Sequence, residues 1–98
     1  CAGTGEGAAL EDVLAAGAMC ESLQAQATAA ELVDSALIAR DALASARNDL
    51  FAAICQAQNA RRLLSLPDLR EDVAFCAGQD TLDLLGGLNR DGSIVKLE

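Results

Sequence analysis

Histidine, tryptophan and tyrosine are absent from this sequence, and it has only two phenylalanines and one proline. Without histidine, no Ser-His-Asp or Cys-His nucleophile can be assembled from these residues. Zinc has almost nothing to build on either, because Cys1, Cys20, Cys55 and Cys76 lie far apart and form no C-x-x-C pair. A disulfide pair stays open. The simpler reading is free thiols, with Cys20 and Cys55 packed as small hydrophobes inside helical patterns. No apolar run approaches the roughly 20 residues needed to cross a bilayer, and no charged-then-apolar signal segment is present. Basic residues are scarce, with seven Lys and Arg against 15 Asp and Glu and a net charge of −8. That balance argues against a sequence-independent nucleic-acid binder, which needs a basic face, and against an anionic membrane surface. The expectation is a soluble, cytoplasmic chain that binds neither nucleic acid nor membrane.

Alanine is abundant, at 21 of 98 residues, so a thin core of Ala, Leu, Val and Ile favours helices that approach closely. The predicted fold is mainly α: three main helices, a short fourth one, and one or two short strands at the C-terminal end. Residues Leu10, Val13, Leu14, Gly17 and Ala18 recur at helical spacing and define a first helix ending near Leu23 to Ala25. Thr28-Ala-Ala-Glu31 has the form of a capping box for a second helix, with Leu32, Ala36, Ala39, Leu43 and Ala46 on one stripe. Asn48 is the expected cap of a third helix that buries Leu50, Phe51, Ile54, Cys55 and Leu64 and stops before Pro67. Asp68 and Glu71 are placed to start a short helical turn. Further on, Gly78, Gly86-Gly87 and Asn89-Arg-Asp-Gly92 punctuate the apolar pieces Leu82 to Leu85 and Ser93 to Val95, which read as two short strands. Residues 1–96 are expected to form a single domain or the C-terminal portion of a larger one, with Leu97-Glu98 a cloning remnant.

The stretch C-A-G-T-G-E-G-A-A-L that opens the sequence offers backbone donors. Gly3, Gly5 and Gly7 allow close approach and positive φ, Thr4 adds a hydroxyl, and the helix behind presents its unpaired N–H groups. A phosphate or sulfonate oxygen fits such a cradle, although neither G-x-x-x-x-G-K-[ST] nor G-x-G-x-x-G is present and an ordinary loop is the simpler reading. Glu11 and Asp12 are candidates for oxygen ligation of Mg²⁺, but adjacent helical residues point about 100° apart, so at most one faces a site directly. The same dual reading, solvated acid or ligand, applies to Glu71, Asp72 and Asp80. Arg61 and Arg62 suit a helix C-terminus, or a bidentate grip on an anionic substrate.

Two stretches together, C-A-G-T-G-x-G-x-x-L-E-D-x-L-x-A-G at Cys1 to Gly17 and A-R-R-L-L…E-D-V-A-F-C-A-x-x-D from Ala60 to Asp80, resemble the C-terminal part of the 2-phosphosulfolactate phosphatase family. That resemblance implies an Mg²⁺-dependent α/β hydrolase that converts 2-phospho-3-sulfolactate to sulfolactate and phosphate, on a route to coenzyme M. It also implies that this chain is a C-terminal piece of a longer protein, inactive alone and completed by an N-terminal portion. Carried over by motif, Cys1, Gly3, Thr4 and Gly5 would line the phosphate site and Arg61 would face the small anionic phosphate ester. Asp72 and Asp12 would be the catalytic carboxylates, and Glu11 and Asp80 would hold the metal. Ala60 stands where the family tends to have Gly, Ala8-Ala9 replaces a larger apolar and small polar pair, and the tail lacks a proline-containing strand. The alternative is a small acidic helical bundle that serves as a protein-interaction or dimerisation module, with room for a homodimer.

Overall fold

The computed structural model describes residues 3–97. Helix α1 spans Leu10–Gln26, and its first-turn acids Glu11 and Asp12 complement the positive dipole end. Helix α2 spans Asp34–Ala46. The two cross where Gly17 of α1 meets Ala39 and Leu43 of α2; all three, with Leu14, are buried. The contact tolerates no side chain at Gly17. A Cβ there would sit 2.9 Å from the Ala39 carbonyl carbon and 2.9 Å from Leu43 Cβ, and closer still to the Ala39 oxygen. The expected stripe of α2 is thus correct at its centre. Around it, Arg47 pairs with Glu21, and Arg40 reaches Asp41 at 3.0 Å and Gln24 at 3.5 Å.

Several local expectations are corrected. The Thr28/Glu31 capping box does not form, because the chain closes a turn through Ala30 N–H to Ala27 C=O and enters α2 only at Asp34. Val33 precedes that helix in an extended conformation without a side-chain cap. Asn48 lies in a 3-10 turn, Arg47–Asp49, and the cap is Asp49, whose carboxylate accepts from Ala52 N–H at 2.9 Å. The third predicted helix is two: α3, Leu50–Cys55, and α4, Gln58–Leu64, separated at Ala57, which is extended at φ −62, ψ 147. No proline or glycine forces this break. It seats Ala57 and Ala60 against Val73 in one small core with Ile54, Cys55, Leu63 and Leu64, and it leaves Phe51 exposed. Pro67 ends the run as expected, by opening a 3-10 turn, Pro67–Leu69, with Leu66 extended before it. Asp68 falls in that turn and does not cap the next helix, α5, which spans Arg70–Cys76 behind Leu69.

The tail forms a hairpin, displaced from the expected pieces: β1, Leu85–Leu88, and β2, Ile94–Leu97, antiparallel with Leu85 opposite Leu97 and Leu88 opposite Ile94. Gly86 and Gly87 lie within β1 rather than ending it, and Leu97 belongs to the ladder. The mostly helical fold with a two-stranded sheet agrees with the predicted class. Helix and hairpin alike leave large side chains bare: Phe75 is 85% exposed, Ile94 79% and Leu88 76%. Cys20 and Cys55 are half-buried free thiols, as the helical pattern indicates, and Cys76 is an exposed one. None of the described helices is long and apolar enough to cross a membrane.

The hairpin turn is tied by Asp91, whose carboxylate accepts from Ser93 Oγ at 2.7 Å and Ser93 N–H at 2.9 Å. Those two bonds, the hydroxyl first, hold the Asp91 carboxyl below its ordinary value of 3.8. A carboxyl depressed in the folded state stabilises it above the unfolded pKa, and the contribution fades as pH falls through the folded value. Acidification below about pH 4 should therefore loosen this turn first, seen as faster exchange of the Ser93 amide by NMR, and Asp91→Asn should remove that acid dependence.

Candidate functional site

The glycine-rich stretch is a tight turn. Thr4 N–H donates to Gly7 C=O and Gly7 N–H to Thr4 C=O, both at 3.0 Å, with Gly3 at φ +66 and Gly5 at φ +59. Glycine is required at Gly3, since a Cβ there would lie 2.8 Å from the Gly7 oxygen; Gly7 does not take the left-handed region. Gly3 N–H donates to Asp12 Oδ2 at 2.8 Å. Three amides of the expected cradle, those of Gly3, Thr4 and Gly7, are therefore engaged within the chain. What the turn presents outward is its exposed tip, Gly5 and Glu6, beside the first turn of α1, whose cap Ala9 supplies no side-chain acceptor.

Glu11 and Asp12 diverge as helical geometry requires. Asp12 turns to the Gly3 amide and lines an open, largely apolar groove of about 570 Å³ with Val13, Ala16, Ile38 and Ala39. Glu11 turns the other way, to α4 and α5. There the Asn59 side-chain amide donates to Thr4 Oγ1 at 2.7 Å and to Glu11 Oε1 at 2.6 Å. Glu11 Oε2 is buried and has no hydrogen-bond partner. Glu11, Asn59, Asp72 and Cys76 line one cavity of about 120 Å³, floored by Ile54, Ala60, Leu63 and Val73.

The fold thus brings Glu11 of α1 and Asp72 of α5 to one largely apolar concavity, and Asn59 joins Thr4 of the opening turn to Glu11 at its edge. Arg61 and Asp80 are exposed and do not line it. Cys1 lies outside the described residues. Among those residues, no group of three or more His, Cys, Asp or Glu is close enough to hold a metal ion; Glu11 and Asp72 are the two carboxylates at the cavity. Asn59 escapes sequence reasoning, because a polar residue near a helix start reads as a capping or solvated group. Its partners are 55 and 48 residues away in the chain.

A family model described as 2-phosphosulpholactate phosphatase matches residues 1–91. A protein of Microcystis aeruginosa described as a probable 2-phosphosulfolactate phosphatase is 35% identical over 92 residues, which cover 93% of this chain and 38% of that relative. The chain therefore spans about two fifths of the length of the curated relative it matches. No solved structure matches.

Proposed function

The chain belongs to the 2-phosphosulpholactate phosphatase family, and from that premise we propose that the protein hydrolyses 2-phospho-3-sulfolactate, or a related small phosphorylated acid, to the alcohol and phosphate. The observation that carries the reading is the meeting of Glu11 and Asp72 at one cavity, with the Thr4 hydroxyl held beside Glu11. A buried carboxylate oxygen without a partner is costly unless a cation or a donor meets it. A hard, oxygen-seeking ion such as Mg²⁺ suits that carboxylate, with Glu11 and Asp72 the residues of this chain that would hold it. When bound, the ion neutralises charge on the phosphoryl oxygens.

The chain's own residues divide the remaining work. The Gly5 and Glu6 amides and the first turn of α1 bind phosphoryl oxygens, and the Thr4 hydroxyl donates to one of them. Asp12 holds the turn closed through the Gly3 amide. Asp72, exposed where it lines the cavity, accepts a proton from the attacking water as the water oxygen bonds to phosphorus, and the ester oxygen leaves and takes a proton from solvent to give the alcohol. The bare side chains of Phe75, Leu88 and Ile94 are covered by the sequence that corresponds to the rest of the relative's length, and residues 1–98 alone are inactive.

The test is phosphate release by the natural full-length protein from 2-phospho-3-sulfolactate and a panel of small phosphate esters, with and without added Mg²⁺ or a chelator. Turnover that depends on the added metal is the expected result; indifference to both metal and esters overturns the proposal. The exposed apolar surface also favours a second reading, an acidic helical module that dimerises. Light scattering separates the two, because a full-length protein that is a catalytically inert, concentration-dependent dimer supports the module.

A further inference from the structure

We infer that Asn59 is a positioning residue of this site, one that sets the Thr4 hydroxyl and the Glu11 carboxylate in register with each other; the inference rests on the phosphatase reading above. An asparagine amide has two N–H donors, and the two acceptors within reach, Thr4 Oγ1 at 2.7 Å and Glu11 Oε1 at 2.6 Å, use both. The flipped amide would set its carbonyl oxygen against a carboxylate, so the neighbours dictate the orientation.

The consequences reach both partners. With a lone pair of Thr4 Oγ1 occupied by Asn59, the threonine's own proton remains available to donate to a bound group. With Oε1 of Glu11 held, its other oxygen, buried and unpartnered, is fixed at the cavity that Asp72 also lines. Asn59 can do this because the helix breaks at Ala57. The break starts α4 afresh and turns its first residues toward the opening turn and α1, with Asn59 half-buried between them. The amide side chain thus connects the loop that binds the phosphoryl group to the helix that carries one of the two carboxylates. Small errors in such a spacing lower the rate of the chemical step more than they weaken binding.

The experiment uses the natural full-length protein and 2-phospho-3-sulfolactate, with kcat and KM measured well below the melting temperature of every variant. Asn59→Asp keeps the volume and removes the donors, and Asn59→Leu removes polarity altogether. Both should lower kcat about 10-fold while KM stays within about twofold, since a group that orients reacting parts acts on the transition state more than on ground-state binding. A residue that only supports the fold would shift the melting temperature and leave kcat unchanged at low temperature. In a Thr4→Val background, Asn59→Leu should cost clearly less than in the wild type, because the two share one path. If Asn59→Leu does not fold, the isosteric Asn59→Asp carries the same comparison. A wild-type protein that turns over while its Asn59→Asp variant keeps a wild-type kcat overturns the positioning role alone. A wild type without turnover overturns the phosphatase reading beneath it.

Discussion

Glu11→Gln or Asp72→Asn in the natural full-length protein should lower phosphate release at saturating substrate by about 100-fold or more, the scale expected when charge stabilisation or general-base help is removed. Each substitution keeps the shape and removes the negative charge. Glu11 is the more telling of the two, because its Oε2 is buried without a hydrogen-bond partner and the residue lines the cavity beside Asp72. Glutamine there still accepts the Asn59 bond through its own oxygen, so the network beside Thr4 survives and the loss reports on charge. The double variant should lose less than the product of the single losses, since both carboxylates serve one reacting group. Glu31→Gln, on the exposed connection between α1 and α2, is the control and should leave turnover unchanged. Near wild-type rates for both single variants would remove this cavity from the chemistry.

Gly17→Ala should destabilise the fold by about 2 to 3 kcal/mol in chemical denaturation, the range for forcing atoms into a closed contact. The sign is what makes this informative. In an exposed helix interior the same change stabilises by about 1 kcal/mol, because alanine loses less backbone freedom. At Gly17 the new methyl meets backbone, the Ala39 carbonyl, as well as Leu43 Cβ, so neither helix can yield by turning a side chain. Gly86→Ala gives the contrast: its Cβ would rest 3.5 Å from an Ile94 methyl, an ordinary contact, and stability should change by less than about 1 kcal/mol. A stabilised Gly17→Ala protein would mean that α1 and α2 do not cross there.

Long, strongly periodic segments were readable in advance. Helix α1 starts at the expected Leu10 and runs to Gln26, and the buried centre of α2 is the Ala39 and Leu43 stripe. Boundaries set by tertiary packing were not readable. Thr28 and Glu31 have the chemistry of a capping box, but the turn at Ala27–Ala30 uses that stretch to redirect the chain. The break at Ala57 carries no punctuating residue, because it arises from the fit of Ala57 and Ala60 on Val73, which lies beyond Pro67.

At the site the division is similar. The motifs point to Thr4, Glu11 and Asp72, whereas helical geometry alone does not choose between Glu11 and Asp12. In the fold Asp12 meets the Gly3 amide and the large apolar groove, and Glu11 turns to the small cavity beside Asn59. Arg61 and Asp80 carry matching residue types, yet their positions on α4 and after α5 keep them away from that cavity.

By itself, then, the sequence determined the chemistry on offer. These 98 residues supply no imidazole, their excess acid favours oxygen ligands and cations, and small apolar residues at helical spacing make close-packed helices. Those are local or compositional properties, present in any conformation of the chain. Which carboxylates share a cavity, and that Asn59 ties Thr4 to Glu11, was decided only by the tertiary structure. Hydrogen bonds between residues about 50 positions apart exist only once α1, α4 and α5 have packed.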